Sequence, residues 1–368
     1  MGSPLSTPEQ LAPGAVLDRS PLGAVRAAAA SERKVLLTTP VPQQTTAWTK
    51  ARRDVRHLLR SSGYQLLEVP AGGSAADWLR LHRGLRERLA RNGHILIEYP
   101  FDQRKRLYGL LVLSRLLGVR LYGLIHDLDS LRFPNSPVER EIAILRLFDG
   151  LVSHNGTMSQ WLRDNGVRRR MADLNLFDYL TDEPPATWRE DDIARPLKVA
   201  CAGNLSWGKA RYVYDSRLAA LRGVQLDLYG AFYESDRVPD TGLRFRGAFD
   251  PDRPVLHDRY HFGLVWDGTA VDQCAGSYGQ YMRYNNPHKL SLYVALGLPV
   301  VVWREAAIAD FVERCGIGVT VRDLRELGSI PDRVDAAAYR RMARNLVPLT
   351  EAVRRGDFLH DALVRLLR

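Results

Sequence analysis

The run Tyr284-Asn285-Asn286-Pro287-His288-Lys289-Leu290-Ser291-Leu292-Tyr293-Val294-Ala295-Leu296-Gly297-Leu298-Pro299-Val300-Val301-Val302-Trp303 decides the fold. Asn286 is a favourable helix N-cap, and Pro287 suits the first helical position, where a missing N–H costs nothing. Leu290, Tyr293 and Val294 recur at helical spacing, and Gly297 is placed to end the helix. Residues 299–303 are a short apolar run rich in β-branched side chains, which reads as a buried parallel strand. The entrance to this helix–strand unit is unusually polar. Its free backbone N–H groups, the positive end of the helix dipole and the charge of Lys289 suit a phosphate or diphosphate. The plainer reading is a capped helix carrying a surface lysine. A lysine in a first helical turn ordinarily faces solvent, so its loss should change stability by no more than about 0.5 kcal/mol.

Working outward, the same alternation recurs. Strands are expected at residues 34–39, 64–69, 94–99, 119–126, 150–153 and 170–174, with helices at 48–61, 75–91 and 104–117. A second series of strands falls at 197–202, 224–230, 243–247, 261–266, 299–303 and 316–321. This predicts an α/β protein of two Rossmann-like, doubly wound parallel-sheet domains, 33–180 and 196–334. Residues 181–192, with several acids and two adjacent prolines, have the composition of a linker. Residues 1–32 read as a mobile arm, and the basic, helical stretch 335–368 as helices that pack back on the first domain.

Composition narrows the partners. A chain of 368 residues that is 45% hydrophobic can bury two cores. Its net charge of +10 favours acidic partners such as nucleotides or an anionic membrane surface. No aromatic-basic module of a known kind points to nucleic acid. Cys201, Cys274 and Cys315 are too scattered for a disulfide framework or a zinc site, which fits a reducing cytoplasm. No stretch reaches the roughly 18–20 apolar residues of a membrane span, and no basic flank precedes an apolar core as in a secretion signal. Contact with the inner membrane surface and a homo-oligomer both remain open.

Three places carry candidate chemistry. The fourth strand ends in Ile125-His126-Asp127-Leu128-Asp129-Ser130-Leu131-Arg132, an acid/base cluster at a strand's carboxyl end; Asp127 or Asp129 could instead cap the helix that starts near Pro137. The loop Gly203-Asn204-Leu205-Ser206-Trp207-Gly208-Lys209-Ala210 has the Gly-x-x-x-x-Gly-Lys spacing of a phosphate-cradling loop. Ala210 stands where Mg²⁺ needs a hydroxyl, so Asn204 and Lys209 are read as diphosphate contacts without a metal ligand. The third place is the 284–303 unit itself.

In order along the chain, 202–206 (Ala-Gly-Asn-Leu-Ser), Leu228-Tyr229-Gly230, 263–268 (Gly-Leu-Val-Trp-Asp-Gly), 284–293, 298–303 and 306–312 resemble one bacterial family of GT-B glycosyltransferases. It holds the β-1,6-galactofuranosyltransferases of O-antigen synthesis and the glucosyltransferase acting on serine-rich adhesins. Ile125–Arg132 and Gln44-Thr45-Thr46-Ala47 resemble its first-domain segments. The resemblance implies two domains facing a cleft that holds UDP against the second. Thr46 would reach the nucleotide, Tyr229 the uridine part, and Asn285 and Lys289 the diphosphate, with Asn286 a further residue of the nucleotide-sugar site. The alternative for Tyr229 is a core tyrosine with a satisfied hydroxyl. The expected activity is transfer of a hexose, galactofuranose or glucose, from a UDP-sugar to a hydroxyl of a glycan, glycolipid or glycoprotein. A catalytically inactive nucleotide-sugar-binding protein is the alternative.

The paired glutamates of large retaining GT-B families are missing: no glutamate occurs between Gly268 and Arg304. Inversion is therefore expected. It needs a base for the acceptor hydroxyl and positive charge for the departing UDP. Lys289 with its helix end would supply the charge without a metal or other cofactor. Asp127 is the first choice for the base, then His126, with Glu98 behind them.

Overall fold

The computed structural model describes residues 34–39, 47–69, 93–101, 118–186, 193–237 and 243–368, with scattered positions in 74–85 and 108–115. The arm at 1–32, Thr46, residues 187–192 and most of the helices expected at 75–91 and 104–117 lie outside the described residues.

Alternating strand and helix patterns build two six-stranded sheets, each entirely parallel. The first is β1 (Lys34–Thr38), β2 (Gln65–Glu68), β3 (His94–Tyr99), β4 (Arg120–Ile125), β5 (Gly150–Ser153) and β6 (Arg170–Asp173), in the order β2-β1-β3-β4-β5-β6. The second is β7 (Leu197–Ala202), β8 (Val224–Tyr229), β9 (Leu243–Phe245), β10 (Phe262–Val265), β11 (Val300–Trp303) and β12 (Gly318–Val321), in the order β12-β11-β10-β7-β8-β9. The strand order reverses between β1 and β3 and again between β7 and β10. Ligands of such sheets collect at the carboxyl ends beside those reversals. There the chain places Thr38, Glu98, Gly203 and Asp267.

Labelling the helices used below in chain order, α1 is Ala47–Ser61, α2 Val138–Leu145, α3 Gly156–Asp164, α4 Trp207–Ala210, α5 His288–Ala295, α6 Ala336–Arg355 and α7 Asp357–Leu367. Helix α1 is basic in sequence, yet Lys50, Arg52 and Arg56 are buried because partners come to meet them. Lys50 Nζ lies 2.6 Å from Asp54 and donates to the Leu180 carbonyl at 2.5 Å; Arg56 pairs with Glu98 at 3.0 Å.

Asp335 caps α6 by accepting from the Ala338 N–H at 2.6 Å, and Gly356, at φ +85°, ends it. The chain then turns into α7, whose first N–H groups have no partner in their own helix. The buried Asp178 carboxylate accepts from Phe358 N at 3.2 Å and Leu359 N at 2.8 Å. Arg365 donates to the Asp173 carbonyl at 2.8 Å, so α7 lies across the first domain's sheet. The C-terminal helices thus cross back from the second domain to the first. Among the described residues, no helix is long and apolar enough to cross a membrane.

Helix α5 is fixed to the second sheet by Tyr293. Its hydroxyl accepts from Ala202 N at 2.8 Å and donates to the Ala200 carbonyl at 3.0 Å, so one phenol spans the end of β7. The ring sits over Gly263 of β10, where an added methyl group would collide with the ring carbons. Glycine there is a packing requirement. Gly263→Ala should destabilise the protein by about 1–3 kcal/mol, the usual cost of overpacking a tight core. Thermal melting of the purified variant checks this, and an unchanged midpoint would show that Tyr293 can move.

Candidate active site

A cleft of about 460 Å³ opens between the two sheets' carboxyl ends. The first domain contributes Trp48, His126, Asp127, Arg132, His154, Phe177 and Tyr179 to its walls. The second contributes Gly203, Asn204, Lys209, Tyr229, Gly230, Asp267 and the 285–289 stretch. Of the ten candidate residues expected from sequence, eight line this cleft, Glu98 is buried outside its lining, and Thr46 lies outside the described residues.

On the first-domain side, Glu98 ends β3 fully buried. Burial pushes its carboxyl up, but His126, Arg52 and Arg56 outweigh that and hold it at about 2. The ionised carboxylate accepts from Arg56 at 3.0 Å and from the Thr38 hydroxyl, and its second oxygen sits 3.0 Å from His126 Nε2. An ionised carboxylate only accepts, so His126 Nε2 carries the hydrogen and Nδ1 keeps the lone pair. Burial, with the Arg52 charge, pulls the imidazole below its ordinary value, against the opposing pull of Glu98. His126 is thus a neutral, oriented imidazole in the cleft wall. Asp127 is not free: Arg132 grips it at 2.6 Å.

On the second-domain side, Lys289 Nζ reaches Asp267 at 2.8 Å and the Trp266 carbonyl at 2.6 Å. Burial lowers the lysine, but Asp267 outweighs it and holds the ammonium above its usual value. The expectation of a solvent-facing lysine is therefore corrected, since its side chain is only 10% exposed and half of a nearly buried ion pair. Lys209 also lines the cleft, 5.5 Å from the Tyr278 ring centroid. Among the described residues no carboxylate pairs with it, and burial lowers its pKa. Gly203 leaves room for Lys289, whose Cε would stand 2.7 Å from a Cβ there.

The remaining candidates divide. Asn204 Oδ1 accepts from Ser206 N at 2.9 Å, which shapes the loop. The Tyr229 hydroxyl is shared with Tyr260 at 2.6 Å and accepts from His257 N at 3.0 Å. Its hydroxyl is satisfied, as the alternative reading expects, while the residue still lines the cleft. Asn285 keeps Oδ1 buried without a partner.

Asn286 is not a helix cap. Pro287 takes that position, and the Asn286 amide donates to the carbonyls of His154 at 2.5 Å and Asn175 at 3.0 Å. Its Oδ1 accepts from Asn155 at 2.7 Å, and its backbone N–H donates to His154 Nδ1 at 2.9 Å. With both amide donors engaged across the domain boundary, the side chain has none left for a diphosphate. His154, Asn155 and Asn175 were missed from sequence, although His154-Asn155 directly follows β5 at its carboxyl end.

Residues 34–176 match the family model described as Glucosyltransferase 3-like, N-terminal domain, and residues 199–366 match its C-terminal counterpart. The chain belongs to the Glucosyltransferase 3-like family. It is 33% identical over 251 residues to the β-1,6-galactofuranosyltransferase WbbI of Escherichia coli, covering 68% of this chain and 72% of that one. It is 23% identical over 256 residues to Glucosyltransferase 3 of Streptococcus parasanguinis, covering 68% and 70%.

Among solved structures, a trehalose-phosphate synthase from Burkholderia vietnamiensis superposes with a TM-score of 0.56 at 12% identity, over 91% of this chain and 98% of that one. The sucrose-phosphate synthase of Thermosynechococcus elongatus gives 0.55 at 13%, over 90% and 97%. Those two likenesses show the fold alone, which is GT-B. The protein is a glycosyltransferase of that architecture.

The buried histidines set the pH response of this glycosyltransferase. Burial holds His94 and His154 down at about 4 and His288 at about 3, and also lowers His126. Groups depressed in the folded state stabilise it above the unfolded pKa near 6.5, and that stability is lost as pH falls. Two carboxyls act oppositely: burial raises Asp54 to about 6 and Asp178 well above its usual value. Four histidines against two carboxyls leave the unfolded chain binding more protons between about pH 4 and 6.5. The melting temperature should therefore fall steadily as pH drops from 7 to 5. A flat profile across that range would mean that the histidines are not held neutral.

Proposed function

We propose that this enzyme transfers a hexose, galactofuranose or glucose, from a UDP-sugar to a hydroxyl of a glycan, glycolipid or glycoprotein, with inversion and without a metal. One observation carries the reading: a neutral imidazole, His126, in the first-domain wall faces a second-domain wall bearing two lysines. That is the polarity a direct displacement requires. The acceptor oxygen attacks the anomeric carbon from the side opposite the UDP, and its proton passes to His126 Nδ1. The bond from the anomeric carbon to the diphosphate breaks, and Lys209, Lys289 and the α5 N-terminus stabilise the charge left on UDP.

Glu98 holds the imidazole in the tautomer that can accept a proton and stabilises the imidazolium that forms. Asp127 is gripped by Arg132 and so is less free to take that proton. Arg132, Lys209 and Lys289 against Asp127 and Asp267 leave the described cleft one positive charge in excess before the diphosphate arrives. The relatives' names favour UDP-galactofuranose or UDP-glucose as donors to try first.

His126→Ala should cut turnover by about a hundredfold or more while UDP affinity, read by calorimetry in EDTA, stays within twofold. Asp127→Asn should cost less. Near-normal turnover in His126→Ala would move the base elsewhere, and affinity that vanishes in EDTA would refute metal independence. NMR of the fresh product reads the anomeric configuration; retention would overturn the displacement.

The two lysines should differ. Lys209→Ala is expected to weaken UDP binding at little cost to folding, within about 0.5 kcal/mol. Lys289→Ala leaves Asp267 uncompensated and should cost about 3 kcal/mol of stability besides. Denaturant titration of both variants distinguishes them, and equal stabilities would show that the Lys289–Asp267 pair is not worth its burial.

A further inference from the structure

Among the described residues that line the cleft, two side chains keep a buried polar atom without a hydrogen-bond partner, Asn285 Oδ1 and His288 Nε2. Leaving such an atom unpaired costs about 1–3 kcal/mol, so a native protein that keeps one in a ligand cleft is expected to fill it with a ligand. His288 is the more telling of the two. It stands one residue before Lys289, and successive residues of an α-helix point about 100° apart. Lys289 turns toward Asp267 and Trp266 of its own domain. His288 turns toward the first domain, with its ring 5.1 Å from that of Tyr179 and 6.0 Å from that of Phe177. Phe177 in turn stacks on His126 at 5.9 Å and 15°. The two imidazoles therefore flank one phenylalanine, with the Tyr179 hydroxyl already committed to the Pro251 carbonyl at 2.6 Å.

The chemistry of the missing partner follows. Burial, reinforced by the charge of Lys50, holds His288 down at about 3, so the ring is neutral at pH 7. A neutral imidazole offers an anion no charge, and only in one tautomer could Nε2 donate to it. A hydroxyl both donates and accepts, and so satisfies Nε2 in either tautomer; a phosphate oxygen only accepts. Aromatic walls with a few convergent polar groups are the usual lining for a small organic ligand.

We propose that His288 binds the acceptor sugar, its Nε2 sharing a hydrogen bond with a hydroxyl of a sugar ring seated against Phe177 and Tyr179, beside His126. This rests on the glycosyl-transfer reading and deepens it: the acceptor is a sugar, and the first-domain half of the cleft is its subsite. His288 selects which hydroxyl of that ring lies beside His126, so it governs linkage as well as affinity.

The test uses the full chain. UDP affinity is measured by calorimetry, and acceptor affinity with octyl β-D-glucopyranoside and octyl β-D-galactopyranoside as probes on the UDP complex. His288→Phe fills the same space without the orphan nitrogen. Its melting temperature should be unchanged or higher, UDP affinity should stay within twofold, and probe affinity should fall at least tenfold. His288→Gln, which keeps a hydrogen-bonding group, should recover part of that loss. A purely structural histidine would give the reverse, lost stability with unchanged probe binding. Probe affinity unaltered in His288→Phe, UDP affinity lost together with it, or a wild type that binds UDP but neither probe would each overturn the assignment. A wild type that fails to bind UDP would instead overturn the donor reading beneath it.

Discussion

The Asn286 amide is where the two halves of the molecule are joined beside the chemistry. Its two donors and one acceptor are all spent on the first domain, on the carbonyls of His154 and Asn175 and on Asn155, while its own backbone N–H reaches His154. Asn155 returns a further bond to the Tyr284 carbonyl at 2.9 Å. These are buried, mutually satisfied polar groups, which specify one geometry because any other leaves several of them unpaired. The next three residues along the chain are Pro287, His288 and Lys289. Whatever fixes Asn286 therefore fixes the start of α5, and with it the distance between Lys289 and the first-domain wall.

Charge in the cleft is arranged so that each wall keeps its character. Glu98 never faces the ligand; it lies behind His126, where Arg56 and Thr38 also satisfy it. The same carboxylate in the cleft would repel a diphosphate. Asp267 behaves similarly in the other wall, holding Lys289 charged in a place where burial alone would discharge it. Arg132 keeps Asp127 from presenting an uncompensated negative charge. Lys209 is the cleft cation that the described residues leave without a carboxylate.

The second link between domains is made by the C-terminus. Asp178, in the segment leaving the first domain, caps α7, and Thr350 of α6 donates to the Val294 carbonyl of α5 at 2.7 Å. One pair of helices thus touches α5 and the first sheet together. This bracing lies behind the cleft, whereas the Asn286 junction lies at its floor. Between them they hold the first-domain wall and the second-domain wall as two faces of one site.

The strands were legible in the sequence because apolar runs buried on both faces are continuous and strongly β-branched. His94–Tyr99, Gly150–Ser153 and Leu197–Ala202 stand where the pattern put them. The loops at strand carboxyl ends were legible too, since polar residues after such runs can only lie at the sheet's edge; this brought Asp127, Lys209, Asn285 and Lys289 to one cleft. What those side chains do there was not legible. Asn286 looked like a cap and is a junction; Lys289 looked exposed and is half of an ion pair. Each error has the same origin. Spacing along a chain reports which backbone conformation a residue favours, a local property set within a few residues. A partner beyond that range, Asp267 for Lys289 within one domain or His154 for Asn286 across the two, is chosen by how the chain packs, and only the tertiary structure decides that.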